Sequence, residues 1–160
     1  LNSNIFYNHK PPNGRGDILK IKIFKKNFNL IDESYNSNPL SLESALKNFD
    51  SLKVNNSKKH LILGDMLELG RHSKKLHRAI SKSINRTSID NVNVIGNHIK
   101  DTYKNINNSK KGLILKKKSE IIDLIKNNID NNDYLMIKGS NSTGLNKITN
   151  DIKTGKINAL

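Results

Sequence analysis

An open α/β sheet, mostly parallel and wound on both faces by helices, is the architecture this 160-residue sequence predicts. Short apolar runs recur from about residue 28 onward, each followed by a turn carrying Gly or Asn and then by a segment with helical periodicity. Several runs are uninterrupted rather than alternating, as strands covered on both faces require. Right-handed crossovers between such strands give a Rossmann-like, doubly wound sheet, whose ligands sit beyond the carboxyl ends of the strands.

The elements follow in order. "YNHKPPNGRGD" (Tyr7 to Asp17) has Pro-Pro and Gly-Arg-Gly punctuation and reads as an extended connector, and "ILKIKIFKK" (Ile18 to Lys26) alternates as an edge strand does. The apolar runs are "FNLID" (Phe28 to Asp32), "HLILGD" (His60 to Asp65), "NVNVIG" (Asn91 to Gly96), "GLILK" (Gly112 to Lys116) and "DYLMIKG" (Asp133 to Gly139). Leu42, Ala45, Leu46 and Phe49 stand at i, i+3, i+4 and i+7 and make a one-sided helix, with Asn38 as its cap and Pro39 at its first position. Leu76, Ala79, Ile80 and Ile84 mark a second stripe, entered through His72 or Ser73. Ile99, Tyr103 and Ile106 mark a third; Ile121, Ile122, Ile125 and Ile129 a fourth, with Ser119 as its start signal; Leu145, Ile148 and Ile152 a fifth.

Composition narrows the function classes. A chain of this length suits one domain with a genuine core. No stretch approaches the roughly 20 apolar residues that cross a bilayer. The chain has no cysteine, so disulfides and thiolate-metal sites are excluded. With no secretory signal and Leu1 in first place, it reads as a soluble, cytoplasmic segment whose numbering begins inside a longer protein. A net charge of +14 favours a polyanionic partner. Lys, Asn and Ile nevertheless crowd every segment, and no basic block flanked by aromatics appears, which fits a solvated surface better than a nucleic-acid interface. The densest cluster, "KKGLILKKKSE" (Lys110 to Glu120), reads as a strand with solvated ends.

Polar groups gather at one end of the predicted strands. They are Asp32, Ser34, Tyr35, Asn36 and Asn38 after the first run, Asp65 and Glu68 after the second, Asn97 and His98 after the third, and Lys138, Ser140, Asn141 and Ser142 after the fifth. A ligand site on that edge is expected. Other signals fail. "KTGKIN" (Lys153 to Asn158) lacks the earlier Gly and the following Ser or Thr of a P-loop, and no GxGxxG follows a strand. His60, His72, His77 and His98 fall into no metal-ligand spacing and read as surface or capping residues.

"GRGD" (Gly14 to Asp17), "LIDESYNSNPLSLESAL" (Leu30 to Leu46), "LILGDMLELG" (Leu61 to Gly70) and "MIKGSNSTGLNK" (Met136 to Lys147) together resemble the carboxy-terminal part of the Mur ligases, in the form carried by the dipeptide-adding member. The resemblance implies a step of peptidoglycan synthesis. ATP, with Mg2+, activates the terminal carboxylate of UDP-N-acetylmuramoyl-tripeptide as an acyl phosphate, which the amine of D-alanyl-D-alanine attacks. It implies a monomer of three domains, without nucleic-acid or membrane partners, whose central domain holds the P-loop, the magnesium ligands and a carbamylated lysine. Residues 1–16 would then be the end of that central domain and an interdomain hinge, and residues 17–160 the carboxy-terminal domain; no catalytic or metal-binding residue is expected in the fragment, which alone would be inactive. By the same resemblance Arg15 is the hinge arginine that reaches the nucleotide phosphates, Asp32 is associated with the ATP ribose, and Tyr35, Asn36 and Asn38 complete the nucleotide-side motif. Charge assigns Asp65 and Glu68 to the dipeptide's ammonium and Lys138 and Ser140 to its carboxylate, with Ser142 in the same substrate loop. The chain departs from the family pattern at Glu33, where a second aspartate is usual, at Ser37, where alanine is usual, and at Asn141, Ser142 and Thr143, where Arg-Ser-Met is usual. A basic nucleic-acid-binding α/β module is the alternative reading, and it predicts binding that falls steeply with salt.

Overall fold

The computed structural model describes residues 16–159. The expected hinge, Arg15 included, therefore lies outside the described residues apart from Gly16. Strands β1 (Asp17–Ile23), β2 (Lys26–Glu33), β3 (Lys59–Gly64), β4 (Asn91–Ile95), β5 (Lys111–Leu115) and β6 (Tyr134–Lys138) form a single six-stranded sheet in the order β1-β2-β6-β3-β4-β5. Only β1 runs antiparallel to its neighbour; the other pairings are parallel. Helices α1 (Pro39–Ser51), α2 (Ser73–Asn85), α3 (Lys100–Asn105), α4 (Ser119–Asn128) and α5 (Leu145–Thr154) connect and close the sheet. The expected doubly wound architecture is present, and so is the edge strand.

The helices divide between the two faces because each strand offers apolar side chains to both. Leu61 and Leu63 of β3 pack with Leu46 and Phe49 of α1 and Ile80 of α2, whereas Ile62 packs with Ile121 and Ile125 of α4 and Ile152 of α5. Ile99 and Ile106, which flank α3, join the first group. Side chains such as Leu61 and Ile62 are fully buried, and removing one of that size from water contributes about 2–3 kcal/mol. Strand β1 has one wet face: Ile18 is exposed while Ile21 and Ile23 are buried. A two-residue turn at Phe24 and Lys25, both at positive φ, joins it to β2 and sets the register.

Helix starts follow the expected chemistry in one case and depart from it in two. Asn38 Oδ1 accepts from Ser41 N at 2.8 Å and Ser41 Oγ accepts from Asn38 N at 3.0 Å, a reciprocal capping box. Helix α2 is entered instead through a 3-10 turn, Gly70–His72, with no side-chain cap. Ser119 lies inside α4 rather than before it; Glu120 supplies the compensation by accepting from Lys116 N at 2.9 Å. The buried face of α2 is also rotated from the expected stripe, with His77 and Ser81 inward and Ala79 outward.

Two of the histidines read as surface or capping residues, His60 and His77, are buried. His77 Nε2 accepts from Met66 N at 3.1 Å, which leaves Nδ1 to donate to Ser73 O at 2.8 Å. His60 Nε2 lies 3.0 Å from Asp133 Oδ2. Burial pushes the His60 imidazole below its ordinary value of 6.5, outweighing the upward pull of Asp133. A histidine depressed in this way contributes stability that is intact above the unfolded value and is lost as pH falls through it, because the unfolded chain takes up the proton first. Urea unfolding midpoints are therefore expected to fall from pH 7 to about pH 5.5, and more gently in His60→Gln. Parallel pH profiles for the two proteins would contradict this.

Candidate functional site

Topology opens a crevice where β6 lies between β2 and β3. The helices that follow β2 and β3 pack on one face of the sheet and α5, which follows β6, packs on the other. Chains leaving neighbouring strand ends therefore diverge, and ligands of open α/β sheets sit in such gaps. Glycines bring the walls together at the base. Leu145 Cδ1 occupies the space that a Cβ on Gly64 or on Gly139 would fill, so the ends of β3 and β6 approach closely only because both positions lack a side chain.

Above that base, hydrogen bonds knit three loops. Ser140 Oγ donates to Ser37 O at 3.1 Å and accepts from Leu67 N at 2.9 Å, tying the loop after β6 to those after β2 and β3. Ser140 N donates to Asp65 O at 3.2 Å. Lys138, only 1 % exposed, donates from Nζ to Asn36 O at 2.8 Å and lies 3.5 Å from Glu33 Oε2. Burial pushes the Lys138 ammonium down and the Glu33 carboxyl up, each against the attraction of the other. Asn36 O is the acceptor that fixes the lysine, and through it the turn after β2.

Asn36, Asn38, Glu68, Ser140 and Ser142 line one cleft of about 410 Å³. Glu68 is exposed there and sits at φ +63, a left-handed conformation uncommon for a residue with a side chain. Lys138 belongs to an adjoining hollow of about 380 Å³ with Glu33 and Asn36. Tyr35 is 43 % exposed on the turn between them. Asp32 faces inward: Oδ1 accepts from Ser34 N and Oγ at 3.1 and 2.6 Å, and Oδ2 pairs with Lys153 Nζ of α5 at 2.7 Å. Asp65 turns toward β4, where it accepts from Asn97 N at 3.1 Å and Ile99 N at 2.7 Å, and it lines a different, larger hollow of about 750 Å³. The expected rim is thus present, but five of its residues share one cleft while Lys138, Asp65 and Asp32 stand beside or beneath it.

Sequence reasoning missed three contributors. Ser37 is buried, lines the cleft and offers its carbonyl to Ser140, and its hydroxyl has no hydrogen-bond partner among the described residues. Leu67 supplies a backbone N–H, which no side-chain pattern reveals. Lys153 lies 121 residues from Asp32, and neither apolar periodicity nor local spacing links the two. No group of three or more His, Asp or Glu side chains able to hold a metal occurs among the described residues, and no helix among them is long and apolar enough to cross a membrane.

Residues 14–141 match the Mur ligase family in its glutamate ligase domain. A UDP-N-acetylmuramoyl-tripeptide--D-alanyl-D-alanine ligase of Buchnera aphidicola subspecies Acyrthosiphon pisum is 35 % identical over 137 residues, 84 % of this chain and 29 % of the relative. The ligase of the same name from Rickettsia prowazekii is 31 % identical over 135 residues, again 84 % of this chain and 29 % of the relative. The chain therefore spans under a third of the curated relatives it matches. Among solved structures, the MurF ligase of Thermotoga maritima in complex with ADP superimposes with a TM-score of 0.73 at 19 % identity, covering 92 % of this chain and 32 % of that one. MurF from Acinetobacter baumannii gives 0.72 at 22 % identity, covering 91 % and 31 %.

Proposed function

The chain belongs to the Mur ligase family, and on that footing we propose that it is the carboxy-terminal domain of a cytoplasmic, ATP-dependent ligase that adds D-alanyl-D-alanine to UDP-N-acetylmuramoyl-tripeptide in peptidoglycan biosynthesis. The observation that carries the reading is the cleft of about 410 Å³ at the β2-β6-β3 rim, in which Asn36, Asn38, Glu68, Ser140 and Ser142 stand together. In the proposal residues 1–16 are the end of a central domain and the hinge, Arg15 meets nucleotide phosphates, and residues 17–160 form the carboxy-terminal domain.

ATP supplies the phosphoryl group that turns the tripeptide's terminal carboxylate into an acyl phosphate, and Mg2+ neutralises the charge transferred with it. We assign both to the central domain. The dipeptide's ammonium first gives one proton to solvent, and the free amine then attacks the acyl carbon; a C–N bond forms, the C–O bond to phosphate breaks, and phosphate leaves with the electron pair and takes the second nitrogen proton. Glu68 is suited to receive the incoming ammonium in this cleft, which Ser140 and Ser142 also line. In the proposal Asp32 stays the ribose-side carboxylate: Ser34 fills Oδ1 and Lys153 takes one position on Oδ2, which leaves that oxygen able to accept from a hydroxyl. Asp32 also holds the turn that carries Tyr35 and Asn36.

A hybrid in which this chain replaces the corresponding segment of the Buchnera relative tests the proposal. It is expected to form the amide product, detected by mass spectrometry, whereas the 160-residue chain alone consumes no ATP. A folded hybrid that makes no product, or ATP turnover by the chain alone, would overturn the assignment.

A further inference from the structure

Helix α2 buries one side chain that its apolar stripe does not call for. His77 stands on the inward face with Ile80 and Ile84 and is fully buried, where a leucine would fill the space with no polar atom to satisfy. Its two ring nitrogens have separate tasks. Nδ1 donates to Ser73 O in the same helix at 2.8 Å, and Nε2 is left as an acceptor for the backbone N–H of Met66 at 3.1 Å. Thr102 Oγ1 of α3 donates to His77 O, so the backbone of the histidine is held as well.

Met66 opens the loop that carries Glu68 to the β2-β6-β3 cleft. Three consecutive residues of that loop are anchored through their backbone: Asp65 O accepts from Ser140 N at 3.2 Å, Met66 N donates to His77, and Leu67 N donates to Ser140 Oγ at 2.9 Å. Two anchors come from the loop after β6 and one from α2. Glu68 follows directly at φ +63, a conformation that persists only where the surroundings over-determine it. Met66 is itself buried, so removing the imidazole leaves a buried donor unmet and favours another path for the loop.

We propose that His77 is a positioning residue for the amine-bearing substrate: acting through Met66 N, and not on the ligand, it sets the backbone that presents Glu68 to the dipeptide's ammonium. The identity of the ligand rests on the ligase reading; the hold on the loop does not.

Three measurements test the role. In the unaltered 160-residue chain, NMR is expected to show a scalar coupling between Met66 N and His77 Nε2 across their hydrogen bond. His77→Gln keeps a side-chain oxygen able to accept, whereas His77→Leu fills the space with none. Exchange of the Met66 amide is expected to speed up about tenfold or more in the leucine variant and to stay within about threefold in the glutamine variant, with the Leu61 and Leu63 amides of β3 as references for folding. In the hybrid ligase, His77→Leu is expected to raise KM for D-alanyl-D-alanine about tenfold while kcat and KM for ATP stay within about twofold, and His77→Gln is expected to recover most of that loss. On a Glu68→Gln background His77→Leu is expected to add less than about twofold, because the charge it positions is already gone. No coupling, equal amide exchange in the two variants, a matching rise in KM for ATP, or full additivity with Glu68→Gln would overturn the role. The coupling needs no variant, so it decides the contact even where His77→Leu does not fold. A parent hybrid that makes no product overturns the ligase reading instead, and the coupling and exchange rates then decide the hold on Met66 by themselves.

Discussion

Gly96→Ala is expected to lower folding stability by about 3–5 kcal/mol, an unusually large effect for adding one methyl group. Gly96 sits at φ +134, a region essentially closed to residues with a Cβ, and that strain alone costs about 1–3 kcal/mol. The added atom would also collide with the Asp65 carboxylate. If that group moves aside, Asn97 N and Ile99 N lose a charged acceptor, and each such bond contributes about 1.5–3 kcal/mol. Gly70→Ala is the control. Gly70 also has positive φ, but nothing lies within 4 Å of its would-be Cβ, so only the backbone term of about 1–2 kcal/mol applies. Equal losses in the two variants, measured by urea denaturation, would refute the role given to Asp65 as the clamp between β3 and β4.

Asp133→Ala is expected to cost roughly 3–4 kcal/mol, and to do so at the strand ends opposite the candidate site. Asp133 is buried at the entry to β6, where Oδ1 accepts from Lys58 N at 2.8 Å and Oδ2 accepts from Asp130 N at 2.9 Å and meets His60 at 3.0 Å. One carboxylate thus ties the start of β6 to the start of β3. Alanine would leave the Lys58 and Asp130 donors unmet. Asp133→Asn keeps one oxygen acceptor and is expected to lose about half as much. An alanine variant within 1 kcal/mol of the parent would show that water replaces the carboxylate without penalty.

How far the sequence carried this reading differs from element to element. Uninterrupted runs such as "HLILGD" announced buried parallel strands because burial on both faces removes the polar alternation, and β3 is indeed buried throughout. The Asn38 cap was legible because its partner stands three residues away. His60 and His77 were not, since what makes a buried imidazole acceptable is a distant carboxylate in one case and a backbone N–H in the other. The same limit governs the site. Topology foretold which strand ends would carry polar groups, but not that Asp65 would turn toward β4 or that Asp32 would be claimed by Lys153 from the last helix. Strand order was equally hidden, because apolar periodicity does not say which strands become neighbours.

The place of β6 has a kinetic consequence. Last in sequence among the described strands, it fills the gap between the second and the third, so a nascent polypeptide cannot complete this sheet until Lys138 has left the ribosome. Until then β2 and β3 each lack a partner on a flank rich in Leu and Ile, which is the kind of unpaired edge that recruits foreign chains. Closure by this late strand is a long-range event, with Leu61 meeting Met136, and it leaves the molecule exposed to aggregation during synthesis.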